Sequence, residues 1–121
     1  MNLVTLPQEF SVYQVADLKQ IDLTQQPLFI GVTEEEISIV SATANVPTDT
    51  INREDGWKAF KIEGVLDFSL VGILAKIAAL LADAGISIFA VSTYNTDYVL
   101  IKSDKLDAAI TALREGGYVV L

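Results

Sequence analysis

The residues best suited to chemistry lie in one short segment, Gly64-Val65-Leu66-Asp67-Phe68-Ser69, which runs directly into an apolar stretch. The stretch from Leu70 to Ala84 predicts a helix, and the first backbone N–H groups of a helix have no partners inside it. Together with the positive end of the helix dipole, these groups can bind a carboxylate. Asp67 can accept a hydrogen bond from an ammonium group, so the segment suits a zwitterion such as an amino acid.

Simpler interpretations of the same residues remain open. Asp67 and Ser69 could each cap the helix, because Asp and Ser are favoured at helix N-termini. Gly72 is predicted one turn into the helix, where the missing side chain lets a ligand or a neighbouring backbone come close. Tight packing of the helix on a sheet is the alternative for Gly72. Spacing alone does not decide between these interpretations.

The composition argues against several classes of function. Eight basic and sixteen acidic side chains give this chain of 121 residues a net charge of −8, which opposes binding to nucleic acid or anionic membrane. The chain contains neither Cys nor His, so it lacks thiolate nucleophiles, thiolate metal sites and the commonest general base. Asp67, Lys76, Tyr94 and Asp97 could do acid–base chemistry, but no set of catalytic roles assembles from them. We therefore predict no enzymatic activity, no cofactor and no metal.

The sequence shows no targeting or membrane segment. The first seven residues lack the basic and long apolar regions of a signal peptide. The longest apolar stretch, residues 70–82, is interrupted by Lys76 and is too short to span a bilayer. These observations predict a cytoplasmic protein.

Charge is divided unevenly along the chain. Residues 1–55 contain two basic side chains, Lys19 and Arg53, and nine acidic ones, whereas residues 56–121 are nearly balanced. A solvated acidic face is one interpretation. The other is an electrostatic field that favours a cationic ligand or partner.

The apolar pattern predicts only short elements in residues 1–55. Alternation predicts strands at Phe10–Val15, Leu28–Thr33 and Ile37–Ala42, with Glu34-Glu35-Glu36 as the turn between the last two. Residues 16–26 predict one short helix. Residues 43–56 are rich in turn-forming residues and predict a linker.

Residues 56–121 predict the order βαββαβ, the split ferredoxin-like arrangement. The expected elements are a strand at Trp57–Glu63, a helix at Leu70–Ala84 ended by Gly85, strands at Ile86–Thr93 and Asp97–Lys102, a helix capped by Ser103 or Asp104 and ended by Gly116-Gly117, and a strand at Tyr118–Leu121. Leu28–Thr33 precedes its hairpin as Ser87–Ser92 precedes the other. An internal duplication is one interpretation of this likeness, and a chance similarity of two hairpins is the other.

The first predicted helix is apolar around most of its circumference. Lys76 and Asp83 are its only charged residues, and alanines occupy its flanks. A helix of this kind is usually covered on more than one side. We expect it to pack against an element of residues 1–55 or of a second subunit. The alternative is that its alanines are exposed to solvent without any partner element, which costs little.

Two runs in this region, Gly72-Ile73-Leu74-Ala75-Lys76-Ile77 and Leu81-Ala82-Asp83-Ala84-Gly85-Ile86-Ser87-Ile88, resemble the signature of the ACT domain family. Residues 57–121 are similar to the regulatory regions of aspartate kinases. The stretch Val91–Leu100 also resembles the animal cytosolic arginine sensors and their small bacterial relatives. One position departs from the pattern, because many ACT domains have an Asp three residues before the helix glycine, where this chain has Ser69.

The resemblance implies an α+β fold with a ferredoxin-like ACT domain at residues 56–121 and a degenerate ACT-like copy at residues 1–55, forming a tandem pair. It implies an allosteric, regulatory sensor that binds an amino acid without catalysis. The alternative is a module for protein interaction or oligomerisation that has lost its ligand. ACT domains pair side by side and bind amino acids where the first loop of one domain meets a strand of its neighbour.

The side-by-side pairing of this family implies a homodimer, and a protein partner that the module regulates is a further expectation. Carried over position by position, the family's ligand contacts fall on the loop and helix start and on one strand. The implied ligand-binding residues are Leu66, Asp67, Phe68, Ser69, Leu70, Val71, Gly72, Ile73, Phe89, Ala90, Val91 and Ser92.

Overall fold

The computed structural model describes residues 2–63 and 72–121. The chain divides into two compact units: a large unit formed by residues 1–7 and 58–121, and a small unit formed by residues 8–57. No helix among the described residues is both long and apolar enough to cross a membrane.

The described elements confirm a mixed α+β fold. The strands are β1 (Asn2–Thr5), β2 (Phe10–Gln14), β3 (Leu28–Val32), β4 (Ile37–Ala42), β5 (Arg53–Ile62), β6 (Phe89–Ser92), β7 (Asp97–Lys102) and β8 (Val119–Val120). The helices are α1 (Ile73–Asp83) and α2 (Leu106–Glu115), and three short 3-10 turns lie at Leu18–Gln20, Thr43–Asn45 and Ser103–Lys105.

The large unit has the predicted ferredoxin-like order of elements, βαββαβ, from β5 to β8. Its strands lie in the order β6-β7-β5-β1-β8. The first strand of the chain, β1, is antiparallel to β5 and parallel to β8, so it lies between the first and last strands of the motif. The sequence pattern does not reveal β1, because four residues at the chain start are too few to show a period.

The core of the large unit lies between one face of its sheet and the two helices. Phe60 and Ile62 are buried on that face, as the alternation in β5 predicts. Ile77 and Leu81 of α1 and Leu113 of α2 pack against them and are almost completely buried. Leu106 and Ile110, which lie on the same face of α2 as Leu113, are only partly buried beside this core.

Both helices end as predicted, at glycines in the left-handed conformation. Gly85 has φ 75°, and the N–H of Ile86 donates to the carbonyl of Leu81 at 2.9 Å. Gly117 has φ 94°, and the N–H of Tyr118 donates to the carbonyl of Leu113 at 3.1 Å. These bonds satisfy carbonyls that have no partner within the helix, and only glycine adopts this conformation without strain.

The start of α2 corrects a prediction. Neither Ser103 nor Asp104 caps the helix, because both belong to a 3-10 turn that leads directly into it. The residue at the N-cap is Lys105, which makes no side-chain capping bond. The tighter turn forms because its backbone continues smoothly into the helix.

The predicted linker at residues 43–56 is also corrected. Thr43–Asn45 forms a 3-10 turn, and residues 53–56 are the beginning of β5. These polar residues adopt strand conformation because they pair with β2, where Tyr13 lies opposite Arg53 and Val12 opposite Glu54. Long-range pairing here overrides a local composition that is typical of a loop.

The small unit contains four antiparallel strands in the order β3-β4-β2-β5. One hydrophobic cluster in it is formed by Tyr13, Val15, Ile21 and Ile39, and Phe10, Val40 and Trp57 are also buried. The short helix predicted within residues 16–26 is the 3-10 turn Leu18–Gln20. Asp17 caps it by accepting a hydrogen bond from the N–H of Lys19 at 2.9 Å.

The hairpins β3–β4 and β6–β7 repeat one another at a constant separation of 60 residues. Phe29 pairs with Val40 as Phe89 pairs with Leu100. The turns match as well, since the N–H of Thr33 donates to the carbonyl of Glu36 at 2.9 Å, and Thr93 and Thr96 form the same bond at 2.8 Å. Leu28 is therefore equivalent to Ile88. The sequence suggests Ser87 as its match, which is wrong by one residue.

Replacing Gly117 tests the left-handed end of α2. We expect Gly117→Ala to lower the free energy of unfolding by about 1–2 kcal/mol, because φ is positive although nothing lies within 4 Å of an added Cβ. Urea unfolding followed by circular dichroism measures the change. Gly31→Ala is the matched control, since its Cβ also meets open space and its φ is not positive. Equal losses in both variants would contradict the assignment of the cost to the backbone conformation.

Candidate ligand site

Half of the predicted ligand-binding residues lie outside the described part of the chain. These are the loop and helix-start residues Leu66, Asp67, Phe68, Ser69, Leu70 and Val71. The remaining residues are Gly72, Ile73 and the strand Phe89–Ser92, and the structure places all of them in the large unit.

Gly72 marks the beginning of α1 and corrects the predicted start at Leu70. It occupies the N-cap position with φ 85° and ψ 7°, and its carbonyl accepts the first helical bond from the N–H of Lys76 at 2.9 Å. Because glycine has no side chain, the cap supplies no hydrogen bond to the first turn of α1. The free N–H groups of that turn suit an anion.

Ile73, the first residue of α1, is partly buried. Its side chain packs against the core of the large unit, as those of Leu74 and Ile88 also do. A ligand at this helix end would therefore contact the backbone of Ile73 more readily than its side chain.

The predicted ligand strand, β6, is an edge strand within the described large unit. It pairs with β7 on one side only. Phe89 and Val91 are half-buried, whereas Ala90 and Ser92 are exposed. No other strand among the described residues pairs with β6, and an edge strand of this kind can pair with a strand of another chain.

The structure adds one carboxylate to the predicted strand. Ser92 and Asp97 are directly opposite each other in the β6–β7 hairpin, and the Ser92 hydroxyl donates to Asp97 Oδ1 at 2.5 Å. An ionised carboxylate can accept several hydrogen bonds. Asp97 therefore retains acceptor capacity beside a residue that sequence reasoning placed in the site.

A buried threonine fixes the turn that follows β6. Thr96 is 6% exposed, and its hydroxyl donates to the carbonyl of Ile62 at 2.5 Å. Ile62 is the last residue of β5. The hairpin carrying Ser92 and Asp97 is thus tied to the point where β5 ends.

The other residues considered for acid–base chemistry are not brought together. Lys76 lies on the exposed side of α1, and Tyr94 is 82% exposed at the hairpin turn. The described residues contain no group of acidic side chains placed to hold a metal ion.

Comparison with protein families identifies this unit. The family model for the ACT domain matches residues 52–115, which include β5, α1, β6, β7 and α2. The chain belongs to the ACT domain family. The α+β fold and the resemblance inferred from the sequence are therefore confirmed.

Known structures share this fold. A protein of Agobacterium tumefaciens is 28% identical, with a TM-score of 0.88 over 99% of this chain and 91% of that one. The aspartokinase alpha and beta subunits are 15% identical, with a TM-score of 0.67 over 95% of this chain and 96% of that one. The regulatory subunit of aspartate kinase from Thermus thermophilus is 13% identical, with a TM-score of 0.60 over 95% and 96%. At these identities the two kinase structures show a shared fold. No curated protein matches the sequence.

Removing the Thr96 hydroxyl tests how the ACT hairpin is held. We expect Thr96→Val to lower the free energy of unfolding by about 1–3 kcal/mol, because the buried carbonyl of Ile62 loses its donor while side-chain volume is kept. Chemical denaturation measures the loss. Thr111→Val, at an exposed position of α2, is the control and should change stability by less than about 0.5 kcal/mol. A neutral Thr96→Val would show that the bond does not hold the turn.

Proposed function

We propose that this ACT protein is a non-catalytic regulatory module that binds an amino acid. The observation that carries the proposal is the family match over residues 52–115, since ACT domains are regulatory, ligand-binding modules. The match includes both described parts of the candidate site, the beginning of α1 and the β6–β7 hairpin. The absence of Cys and His is consistent with a role in binding rather than in catalysis.

The carboxylate of the amino acid is assigned to the beginning of α1. Gly72 supplies no capping side chain, so the first-turn N–H groups depend on another acceptor. The positive end of the helix dipole adds to the attraction. Leu66 to Val71, together with Gly72 and Ile73, complete this part of the proposed site.

The ammonium group is assigned to Asp97, with Asp67 as the alternative. Asp97 accepts a hydrogen bond from Ser92, and Ser92 belongs to the strand expected to face the ligand. A carboxylate held by a hydroxyl is already oriented, so less side-chain entropy is lost when an ammonium binds. Ala90, which like Ser92 is exposed, lies on the same side of β6.

The small unit is proposed to be a degenerate ACT-like copy, giving the chain a tandem architecture with residues 1–55 as its first part. Its element order repeats that of the large unit, with 3-10 turns in place of both helices. The constant separation of 60 residues between the hairpins supports a duplication. Edge strand β6 offers a route to a homodimer, in which a strand of the partner would pair alongside it.

A thermal-shift screen against the twenty amino acids at millimolar concentration tests the function. A ligand at about 100 times its dissociation constant adds roughly 2.7 kcal/mol of stability. For a domain of this size the melting temperature should rise by on the order of 10 °C. We expect a rise with one amino acid or with a chemically related pair. If the protein melts cooperatively and no amino acid raises its melting temperature, the proposal is wrong and a ligand-free interaction module is favoured.

Paired variants test the two ends of the proposed zwitterion. Gly72→Leu should abolish the ligand-induced rise in melting temperature, whereas Gly85→Leu should keep it. The two variants are matched in strain, because both glycines have a positive φ and an added Cβ meets open space at both. Asp97→Asn should also abolish the rise in melting temperature. Asp104→Asn removes the same charge from the 3-10 turn after β7 and should leave the rise unchanged. Binding measured by calorimetry separates loss of affinity from loss of stability. Normal binding by Gly72→Leu would place the site elsewhere.

A further inference from the structure

The small unit contains a cleft that the proposed ligand site does not use. It has a volume of about 500 Å³ and lies between the end of β2 and the turn that joins β3 to β4. Its aliphatic wall includes Val32, which is 59% exposed, and Ile51, which is 63% exposed. Exposed aliphatic side chains that share a concave surface are typical of interaction sites.

Glutamates from the turn form the rim of this cleft. Glu36 is held in place, because its Oε1 accepts a hydrogen bond from Gln14 Nε2 at 3.0 Å. Gln14 is held in turn, since Asn52 Nδ2 donates to its Oε1 at 2.6 Å. Glu34 and Glu35 also line the cleft, and neither forms an ion pair among the described residues.

The charge of the small unit indicates what the cleft can accept. Residues 8–57 contain nine acidic side chains and two basic ones, and Arg53 already pairs with Asp55 at 2.8 Å. This excess repels anions and attracts cations. The occupant should therefore combine a positive charge with an aliphatic group that covers Val32 and Ile51.

The exposure of the aliphatic wall favours a protein segment over a free small molecule. Small-molecule sites usually bury 70–90% or more of their ligand. Val32 and Ile51, each more than half exposed, would leave much of a small molecule uncovered, whereas a partner protein covers them with the rest of its own interface. We propose that this cleft docks a partner-protein segment in which a Lys or Arg adjoins an aliphatic residue.

Peptide titrations followed by NMR test the docking. The probes are two short capped peptides, one alternating leucine with lysine and one alternating leucine with arginine, added to the full-length, isotope-labelled chain. We expect saturable amide shifts centred on residues 14–16, 32–37 and 51. A peptide with glutamate in place of the basic residues should produce none. Failure of both basic peptides to saturate at millimolar concentration would overturn the proposal.

Matched variants separate docking from general attraction to an acidic protein. Glu34→Gln with Glu35→Gln should weaken peptide binding roughly three- to tenfold. Asp49→Asn with Asp104→Asn removes the same charge outside the cleft and should have a smaller effect. Ile51→Thr should weaken binding about threefold, while Leu23→Thr, at a position 67% exposed outside the cleft, should not. Equal losses within either pair would overturn the proposal.

Titration with free lysine and free arginine distinguishes the remaining occupants. If either free amino acid shifts the cleft amides with the affinity of the peptides, the cleft is a small-molecule site and the proposal fails. The amino-acid screen gives an independent result when it is repeated on its variants at Gly72 and Asp97, because both residues lie outside the cleft. The docking proposal and the proposed function can therefore fail separately.

Discussion

The candidate ACT site depends on a buried hydrogen bond from the Thr96 hydroxyl to the carbonyl of Ile62. A hydroxyl removed from water at this position needs an acceptor, so the bond is costly to break and holds the hairpin turn in one place. The turn connects β6 to β7, whose facing residues Ser92 and Asp97 form a second hydrogen bond. The carboxylate proposed to bind ammonium is therefore oriented by the core of the large unit and not by a free loop.

Local chemistry allowed much of the fold to be predicted from the sequence. β4 and β7 have the expected bounds because apolar alternation and a polar turn define each hairpin. The start of α1 could not be predicted, since Leu70 and Val71 continue the apolar pattern and only the positive φ of Gly72 marks the boundary. β1 and the beginning of β5 were missed because partners distant in sequence stabilise them. The pairing of Ser92 with Asp97 likewise requires the register of the hairpin.

The small unit has 3-10 turns at the places where the large unit has helices. It buries Phe10, Val40 and Trp57 as well as a cluster of four side chains. One of the four is Tyr13, whose hydroxyl bonds to the buried Ser41 hydroxyl at 2.8 Å. Such a pair satisfies two polar groups but contributes less than apolar packing would.

The division of charge is consistent with different ligands for the two proposed sites. A carboxylate approaching a chain of net charge −8 meets long-range repulsion, but salt screens it over about 8 Å at physiological ionic strength. The charge of the ACT unit is nearly balanced, so long-range repulsion there is weak. The binding of an anion would then depend on short-range hydrogen bonds from the N–H groups at the beginning of α1. At the small unit, Glu34 and Glu35 form no ion pair among the described residues, so the local electrostatic potential is negative as well. The proposed zwitterion site and the proposed docking cleft therefore differ in local charge, which is the property that would separate their ligands.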